Sequence, residues 1–127
     1  MELLLAHVLK LSRFDLYLQF ERPLKEAELA ELRAMVRRRA NHEPLQYITG
    51  EAPFYKRTFR VTPAVLIPRP ETELLAEEAL RRAPSLRCLD IGIGSGCIGI
   101  TIALERPETT VTAIDISEEA IAVALHN

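Results

Sequence analysis

The sequence has 127 residues, which is enough for one compact domain or for a small domain with part of another. Hydrophobic residues make up 48% and charged residues 27%, the balance of a globular protein, and the formal net charge of -2 argues against a general nucleic-acid-binding surface. No apolar run approaches the roughly 20 residues that a membrane-spanning helix needs, so no membrane contact is expected.

The first 40 residues have the periodicity of helices and no strand-like alternation. One apolar face at helical spacing comprises Leu4, Leu5, Val8, Leu9 and Leu11. A helix over residues 26–39 would place on one side Leu29, Leu32, Met35 and Val36. Between them, Ser12 and Asp15 have the spacing of a capping box, which predicts the start of a short helix. We expect a small helical bundle without visible chemistry. Its cationic run at residues 37–39 is either a solvated helix end or a patch for RNA or an acidic partner.

Residues 41–70 contain turns rather than continuous periodicity. Residues 43–50 predict a short helix closed by Gly50. The alternation of apolar residues over 54–61 predicts a strand, and residues 64–67 could pair with it as a β-hairpin. We expect this ribbon, residues 51–70, to link a helical domain of residues 1–50 to the domain that begins at residue 71.

From residue 71 onward helices and strands alternate along the chain. The expected helices are 71–82, 97–104 and 118–126, and the expected strands are 87–91 and 111–115. This order with short connections predicts an α/β fold with a parallel, Rossmann-like sheet. Because two parallel strands leave both edges and one face uncovered, we expect the sequence to hold such a domain truncated after two strands.

The most informative stretch is the glycine loop, residues 92–96, between the first strand and the next helix. Glycines at alternate positions permit positive φ and let a ligand approach the backbone. The following helix offers free N–H groups and a partial positive charge at its N-terminus. The second strand ends in Asp115, placed to accept both hydroxyls of an adenosine ribose. We therefore expect a nucleoside cofactor here. Its predicted binding residues are Gly92, Ile93, Gly94, Ser95, Gly96, Asp115 and Ile116.

Three interpretations of this loop compete. Residues 94–99 also match the G-x-G-x-x-G pattern of a dinucleotide enzyme, and a glycine turn that merely packs closely is another alternative. Asp90, two residues before Gly92, argues against a pyrophosphate because like charges repel, whereas a cofactor bearing a sulfonium and an ammonium gains from it. We therefore count Asp90 among the predicted cofactor-binding residues. The combined pattern resembles the first two motifs of S-adenosylmethionine-dependent methyltransferases.

A second resemblance runs from the first helix to Asn127. Glu-Pro-Leu-Gln-Tyr-Ile-Thr-Gly at residues 43–50, then Phe54, Phe59 and Val61, and Leu-Ile-Pro-Arg-Pro-Glu-Thr-Glu at residues 66–73 resemble the release-factor glutamine methyltransferases. In that family an N-terminal helical domain is joined by a β-hairpin to a methyltransferase domain. Lys56 stands where members often have glycine.

This resemblance implies methyl transfer from S-adenosylmethionine to the side-chain amide nitrogen of a glutamine in the Gly-Gly-Gln motif of peptide-chain release factors. Arg69 and Thr72, in the string at residues 66–73, are also counted among the predicted cofactor-binding residues. Arg69 either lines the cofactor or substrate mouth or forms an ion pair that holds the hairpin to the sheet. The family's Asn-Pro-Pro-Tyr motif does not occur in the sequence. We therefore expect no catalytic residue within it, and no activity from residues 1–127 alone. Positioning and desolvation should drive such a transfer.

Other functions remain open. The sister activity on a glutamine of a ribosomal protein shares every motif seen here, whereas Asp90 disfavours a nicotinamide-dependent oxidoreductase. A non-enzymatic fragment that only docks a partner is a further class.

Cys88 and Cys97 fit neither a disulfide framework nor a zinc site, so both are expected in the core and no metal is expected. We expect a cytoplasmic monomer whose partner is a release factor, without direct nucleic-acid contacts.

Overall fold

The computed structural model describes residues 1–82 and 87–127. In chain order the elements are α1 Glu2–Leu9, α2 Arg13–Leu18, α3 Glu26–Ala40, α4 Leu45–Thr49, β1 Glu51–Phe54, β2 Arg57–Arg60, α5 Pro70–Arg82, β3 Arg87–Ile91, α6 Cys97–Glu105, β4 Thr110–Ile114 and α7 Glu118–His126. They divide into two compact units, Met1–Thr49 and Gly50–Asn127. Among the described residues, no helix is both long and apolar enough to cross a bilayer. The α/β fold class predicted from the sequence is confirmed.

The first unit is helical, as predicted. Helix α1 contacts α2, α3 and α4, and α3 also contacts α4. The most deeply buried side chain of α1 is Leu4, and the predicted apolar face of α3 is half-buried. The capping box at α2 is confirmed, because the Ser12 hydroxyl accepts from the Asp15 amide at 3.1 Å and the Asp15 carboxylate accepts from the Ser12 amide at 3.3 Å.

The β-hairpin differs from the one that the sequence predicts. Strand β2 pairs antiparallel with β1, with Glu51 opposite Arg60 and Phe54 opposite Arg57, so the expected pairing of residues 54–61 with residues 64–67 was wrong. Residues 64–67 are not part of a strand, and the amide of Val65 donates to the carbonyl of Thr62 at 3.1 Å. Alternation alone could not identify β1, because Pro53 lies in its middle and proline is confined to edge strands.

The turn of this hairpin is made by Tyr55 and Lys56, whose φ angles are 45° and 67°. Two consecutive left-handed residues form the tight turn whose twist matches that of the flanking strands. Such turns favour Asn-Gly or Gly-Gly, and neither residue here carries that signal. The position of Lys56 is therefore one where glycine would be unstrained.

The hairpin packs on the helices of the second unit. Phe54 and Phe59 meet edge to face, with ring centroids 6.0 Å apart, in a buried cluster with Ala76 of α5 and Cys97 of α6. Cys97 is buried, but Cys88 of β3 is only half-buried, so the core expectation is confirmed for Cys97 and wrong for Cys88.

Two polar contacts add to this packing. The Glu73 carboxylate accepts from the Tyr55 amide at 3.0 Å, and the Arg57 guanidinium pairs with Glu105 at 2.7 Å. Glu73 closes the string at residues 66–73 that carries the family resemblance. Its described contact is thus a structural one, which holds the turn of the hairpin against α5.

The β-strands β3 and β4 form a parallel pair, as predicted, and every helix and strand from α5 onward lies within one residue of its predicted range. Their register places Ile91 opposite Ile114, so both strands end at the same edge. One face of the pair carries α6. On the other, Leu89 and Ile91 are 58% and 73% exposed, which agrees with the expectation that this sheet is incomplete.

Candidate functional site: the glycine loop and its two carboxylates

The candidate site lies at the carboxyl ends of β3 and β4. The amides of Gly92 and Ile93 both donate to the carbonyl of Ile114, at 2.8 and 3.1 Å, so the glycine loop begins against the end of β4. Asp115 follows Ile114 directly and therefore lies beside the loop. In open α/β sheets this edge is where ligands bind.

The loop has a backbone that only glycine adopts without strain. Gly92, Gly94 and Gly96 have φ angles of 79°, 54° and 83°. A Cβ on Gly96 would lie 2.6 Å from the Cδ1 atom of Ile100, so a side chain there would also force the end of the Ile100 side chain to move. A Cβ on Gly92 would meet nothing within 4 Å, so the described residues leave space there for a ligand to approach the backbone.

Asp115 is held by backbone amides on both carboxylate oxygens. Oδ2 accepts from Gly94 at 2.9 Å and Oδ1 accepts from Ser117 at 3.0 Å. The hydrogen bond from Gly94, followed by that from Ser117, lowers the pKa of Asp115 below its ordinary value. Because each oxygen has more than one acceptor site, the carboxylate retains capacity for two ligand hydroxyls. This arrangement fits a ribose.

Asp90 has a different environment, on the face of β3 that meets α6. Its Oδ2 atom accepts from the amide of Gly99 at 3.0 Å. Burial raises the pKa of Asp90 above its ordinary value, and the charge of Asp115 adds to this, while the Gly99 hydrogen bond opposes it. Oδ1 has no hydrogen-bond partner among the described residues. A half-buried carboxylate of this kind is stabilised by an approaching cation.

The other predicted site residues lie in varied surroundings. Ser95 is buried, Ile93 is half-buried, and Ile116 is fully exposed next to Asp115. Thr72 lies in the first turn of α5, where its amide donates to the carbonyl of Arg69 at 3.0 Å. No hydrogen bond within residues 1–82 and 87–127 joins Arg69 or Thr72 to the glycine loop.

Arg69 is exposed and forms no ion pair with the residues that the structure describes. The structural alternative considered for it, an ion pair that holds the hairpin to the sheet, therefore has no support here. The ion pair that does join the hairpin to the helices is made by Arg57 and Glu105 instead.

Three residues that contact the loop or its carboxylates were not singled out from the sequence. Gly99 supplies the amide that holds Asp90, Ser117 supplies one that holds Asp115, and the Asn127 side chain contacts the Ser95 carbonyl at 2.9 Å. The third glycine of the G-x-G-x-x-G pattern was a usable signal for Gly99, and the helix-capping position was one for Ser117. We find no local signal for Asn127.

The site contains groups suited to a cationic nucleoside and none of the groupings that bind metals. No cluster of three or more His, Cys, Asp or Glu side chains in the described parts of the chain could hold a metal ion. An uncrowded backbone at Gly92, an acceptor carboxylate at Asp115 and a half-buried carboxylate at Asp90 are present together.

Comparison with known proteins agrees with this description. Residues 1–50 match a family model described as the PrmC N-terminal domain, and residues 70–127 match one described as the methyltransferase small domain. A release factor glutamine methyltransferase of Chlorobaculum tepidum is 52% identical over 99% of this chain and 46% of its own length. The proteins of that name from Geobacter sulfurreducens and Salmonella typhimurium are 50% and 41% identical, each over 99% of this chain.

These matches cover both compact units. The chain spans slightly less than half the length of the curated relatives, at 46%, 45% and 46% for the three proteins above. The resemblance found in the sequence is thereby confirmed, with an N-terminal domain followed by the first part of a methyltransferase domain. Over nearly its whole length the chain is thus similar to the first part of the release factor glutamine methyltransferases, with the two matched domains in the order PrmC N-terminal domain, then methyltransferase domain.

Proposed function

We propose that the full-length protein transfers a methyl group from S-adenosylmethionine to the side-chain amide nitrogen of a glutamine in a peptide-chain release factor. The observation that carries this proposal is the placement of Asp115 and Asp90 around one glycine loop. The relatives are release factor glutamine methyltransferases, which favours a release factor over a ribosomal protein as the substrate.

The cofactor residues have separate tasks in this proposal. The backbone of residues 92–96 gives the cofactor close access, Asp115 accepts the ribose hydroxyls, and Ile116 offers an exposed apolar surface to the adenine. Asp90 faces the cationic end of the cofactor, because its half-buried charge needs a positive partner. Arg69 and Thr72 border the mouth of the site.

The bound cofactor supplies an electrophilic methyl group on its sulfonium. Residues 1–127 contribute binding and orientation, and the glutamine amide is held by residues beyond Asn127. An amide nitrogen is a weak nucleophile, so alignment of the two reactants and exclusion of water provide most of the acceleration. We assign no proton transfer to any side chain of this sequence.

The division of the chain follows from the same proposal. Residues 1–50 form a substrate-recognition domain, residues 51–70 a hairpin linker, and residues 71–127 the start of the cofactor-binding domain. We infer a monomer that acts in the cytoplasm, where release factors function. Exchanging residues 1–50 between this protein and a relative with a different protein substrate should change substrate preference and leave cofactor affinity within a few-fold.

Calorimetry and a methyl-transfer assay test the proposal on the full-length protein. We expect S-adenosylhomocysteine to bind, NAD not to bind, and labelled methyl to appear on the glutamine of a release factor. Tight NAD binding would support the dinucleotide alternative and overturn the proposal. Methylation of a ribosomal protein in preference to the release factor would replace the substrate but keep the chemistry.

A further inference from the structure

The side chain of Asn127 bridges two segments that are far apart in sequence. Its Nδ2 atom donates to the carbonyl of Ser95 in the glycine loop at 2.9 Å and to the carbonyl of Arg60 in β2 at 3.1 Å. Its Oδ1 atom accepts from the Arg60 amide at 2.7 Å. One primary amide thus satisfies both backbone groups of Arg60 and still contacts the loop.

The chemistry of these contacts requires an asparagine. Both hydrogens of Nδ2 are used, and the carbonyl oxygen is used as well. An aspartate retains an acceptor for the Arg60 amide, but it has no hydrogen to donate and sets a negative charge against the Ser95 carbonyl. An alanine retains none of the three bonds.

The contact with Ser95 acts on the peptide group that joins Ser95 to Gly96. The carbonyl of this peptide group accepts from Asn127, and its N–H donates to the carbonyl of Ile93 at 2.9 Å. Both ends of the peptide plane are therefore held. Since Gly94 and Gly96 flank Ser95 and rotate more freely than other residues, this restraint has a direct effect on the loop conformation.

We propose that Asn127 is a positioning residue for the cofactor loop. It couples the loop to the hairpin and keeps the loop in its binding conformation before the cofactor arrives, without touching the cofactor. A loop that is already ordered loses less conformational entropy on binding, so affinity rises. This inference rests on the proposed cofactor site.

The test uses the full-length protein with Asn127→Ala and Asn127→Asp, and with His126→Ala as a matched control at the same helix end. We expect both Asn127 variants to bind S-adenosylhomocysteine about tenfold more weakly, because both lose the hydrogen bond to Ser95 and one hydrogen bond is worth up to about tenfold in an equilibrium constant. The KM for S-adenosylmethionine should rise equally, while kcat at saturating cofactor stays close to that of the unchanged protein. His126→Ala should match the unchanged protein.

Urea unfolding of the cofactor-free variants separates positioning from stability. If Asn127→Ala lowers the unfolding midpoint but leaves cofactor affinity within twofold, Asn127 only holds the hairpin in place and the inference is wrong. An equal loss of affinity in His126→Ala also contradicts it. Failure of the unchanged protein to bind S-adenosylhomocysteine refutes the proposed function instead, so the two failures are distinguishable.

Discussion

The carboxylate of Asp90 accepts a hydrogen bond from the backbone amide of Gly99 at 3.0 Å, which ties the interior of β3 to the first turns of α6. A Cβ on Gly99 would lie 3.0 Å from that same Asp90 oxygen and 3.3 Å from the Cγ1 atom of Val111. The close approach of α6 to the sheet therefore depends on a residue without a side chain, and it sets the position of a carboxylate in the proposed site.

Gly99→Ala overpacks this contact, but alanine also gains about 1 kcal/mol of helix propensity inside α6, so the free energy of unfolding should fall by at most about 2 kcal/mol. It should also weaken cofactor binding by displacing Asp90. A double-mutant cycle by urea unfolding gives the control: in an Asp90→Ala background the crowding is relieved, so Gly99→Ala should lose less stability. Strict additivity of the two changes would show that Asp90 and Gly99 are not coupled.

The affinity for S-adenosylmethionine should depend on the protonation of Asp90. Its pKa is raised by burial, with Asp115 adding to the effect, and only the ionised form attracts the cationic end of the cofactor. Affinity should therefore fall as the pH is lowered through this raised pKa and level off above it. Calorimetry over a pH series should show this fall in the unchanged protein and a flatter, weaker profile in Asp90→Asn.

The raised pKa of Asp90 has the opposite consequence for the stability of the cofactor-free protein: ionisation of Asp90 favours cofactor binding but lowers the free energy of unfolding. A raised pKa in the folded state means that the contribution of Asp90 to stability is present at low pH and is lost as the pH rises through that pKa. Asp90→Asn, which retains an acceptor for the Gly99 amide, should thus be more stable than the unchanged protein at neutral pH. The difference should vanish in acid, and a less stable variant at neutral pH would contradict this reasoning.

Asp115→Ala should weaken cofactor binding by about tenfold to a hundredfold, the loss typical of hydrogen bonds to a charged acceptor. Asp115→Asn should be nearly as damaging, because both carboxylate oxygens accept backbone amides and an NH2 group would face one of those donors. Titration with S-adenosylhomocysteine measures both changes. Unaltered affinity in both variants would mean that the ribose is held elsewhere.

Lys56→Gly should stabilise the hairpin. The φ of Lys56 is 67°, a region that disfavours side chains by roughly 1–2 kcal/mol, and this exceeds the entropy that glycine adds to the unfolded chain. The change also removes the ammonium 5.4 Å from the Tyr55 ring, a small loss. We expect a net gain of about 0.5–1 kcal/mol by urea unfolding. Lys56→Ala loses the same ring contact but keeps the backbone strain, so it should not be stabilised.

Much of this architecture was predictable because its signals are local. The capping box of Ser12 and Asp15, the apolar periodicity of the helices and the alternating glycines each act within a few residues of chain. The glycine loop lies where its pattern predicted it. Gly92, Gly94 and Gly96 have positive φ, and the tolerance of positive φ is a property of glycine itself.

The sequence by itself thus determined the helices of the first unit, the alternation of helices and strands from α5 onward, the glycine loop and the acid at the end of β4. Only the tertiary structure decided that β2 pairs with the segment containing Pro53, that Asp90 meets Gly99, and that Asn127 joins Arg60 to Ser95. The reason is that these contacts depend on where whole elements come to lie against one another. A hydrogen bond between residues 67 positions apart, as between Arg60 and Asn127, leaves no pattern in the residues around either partner.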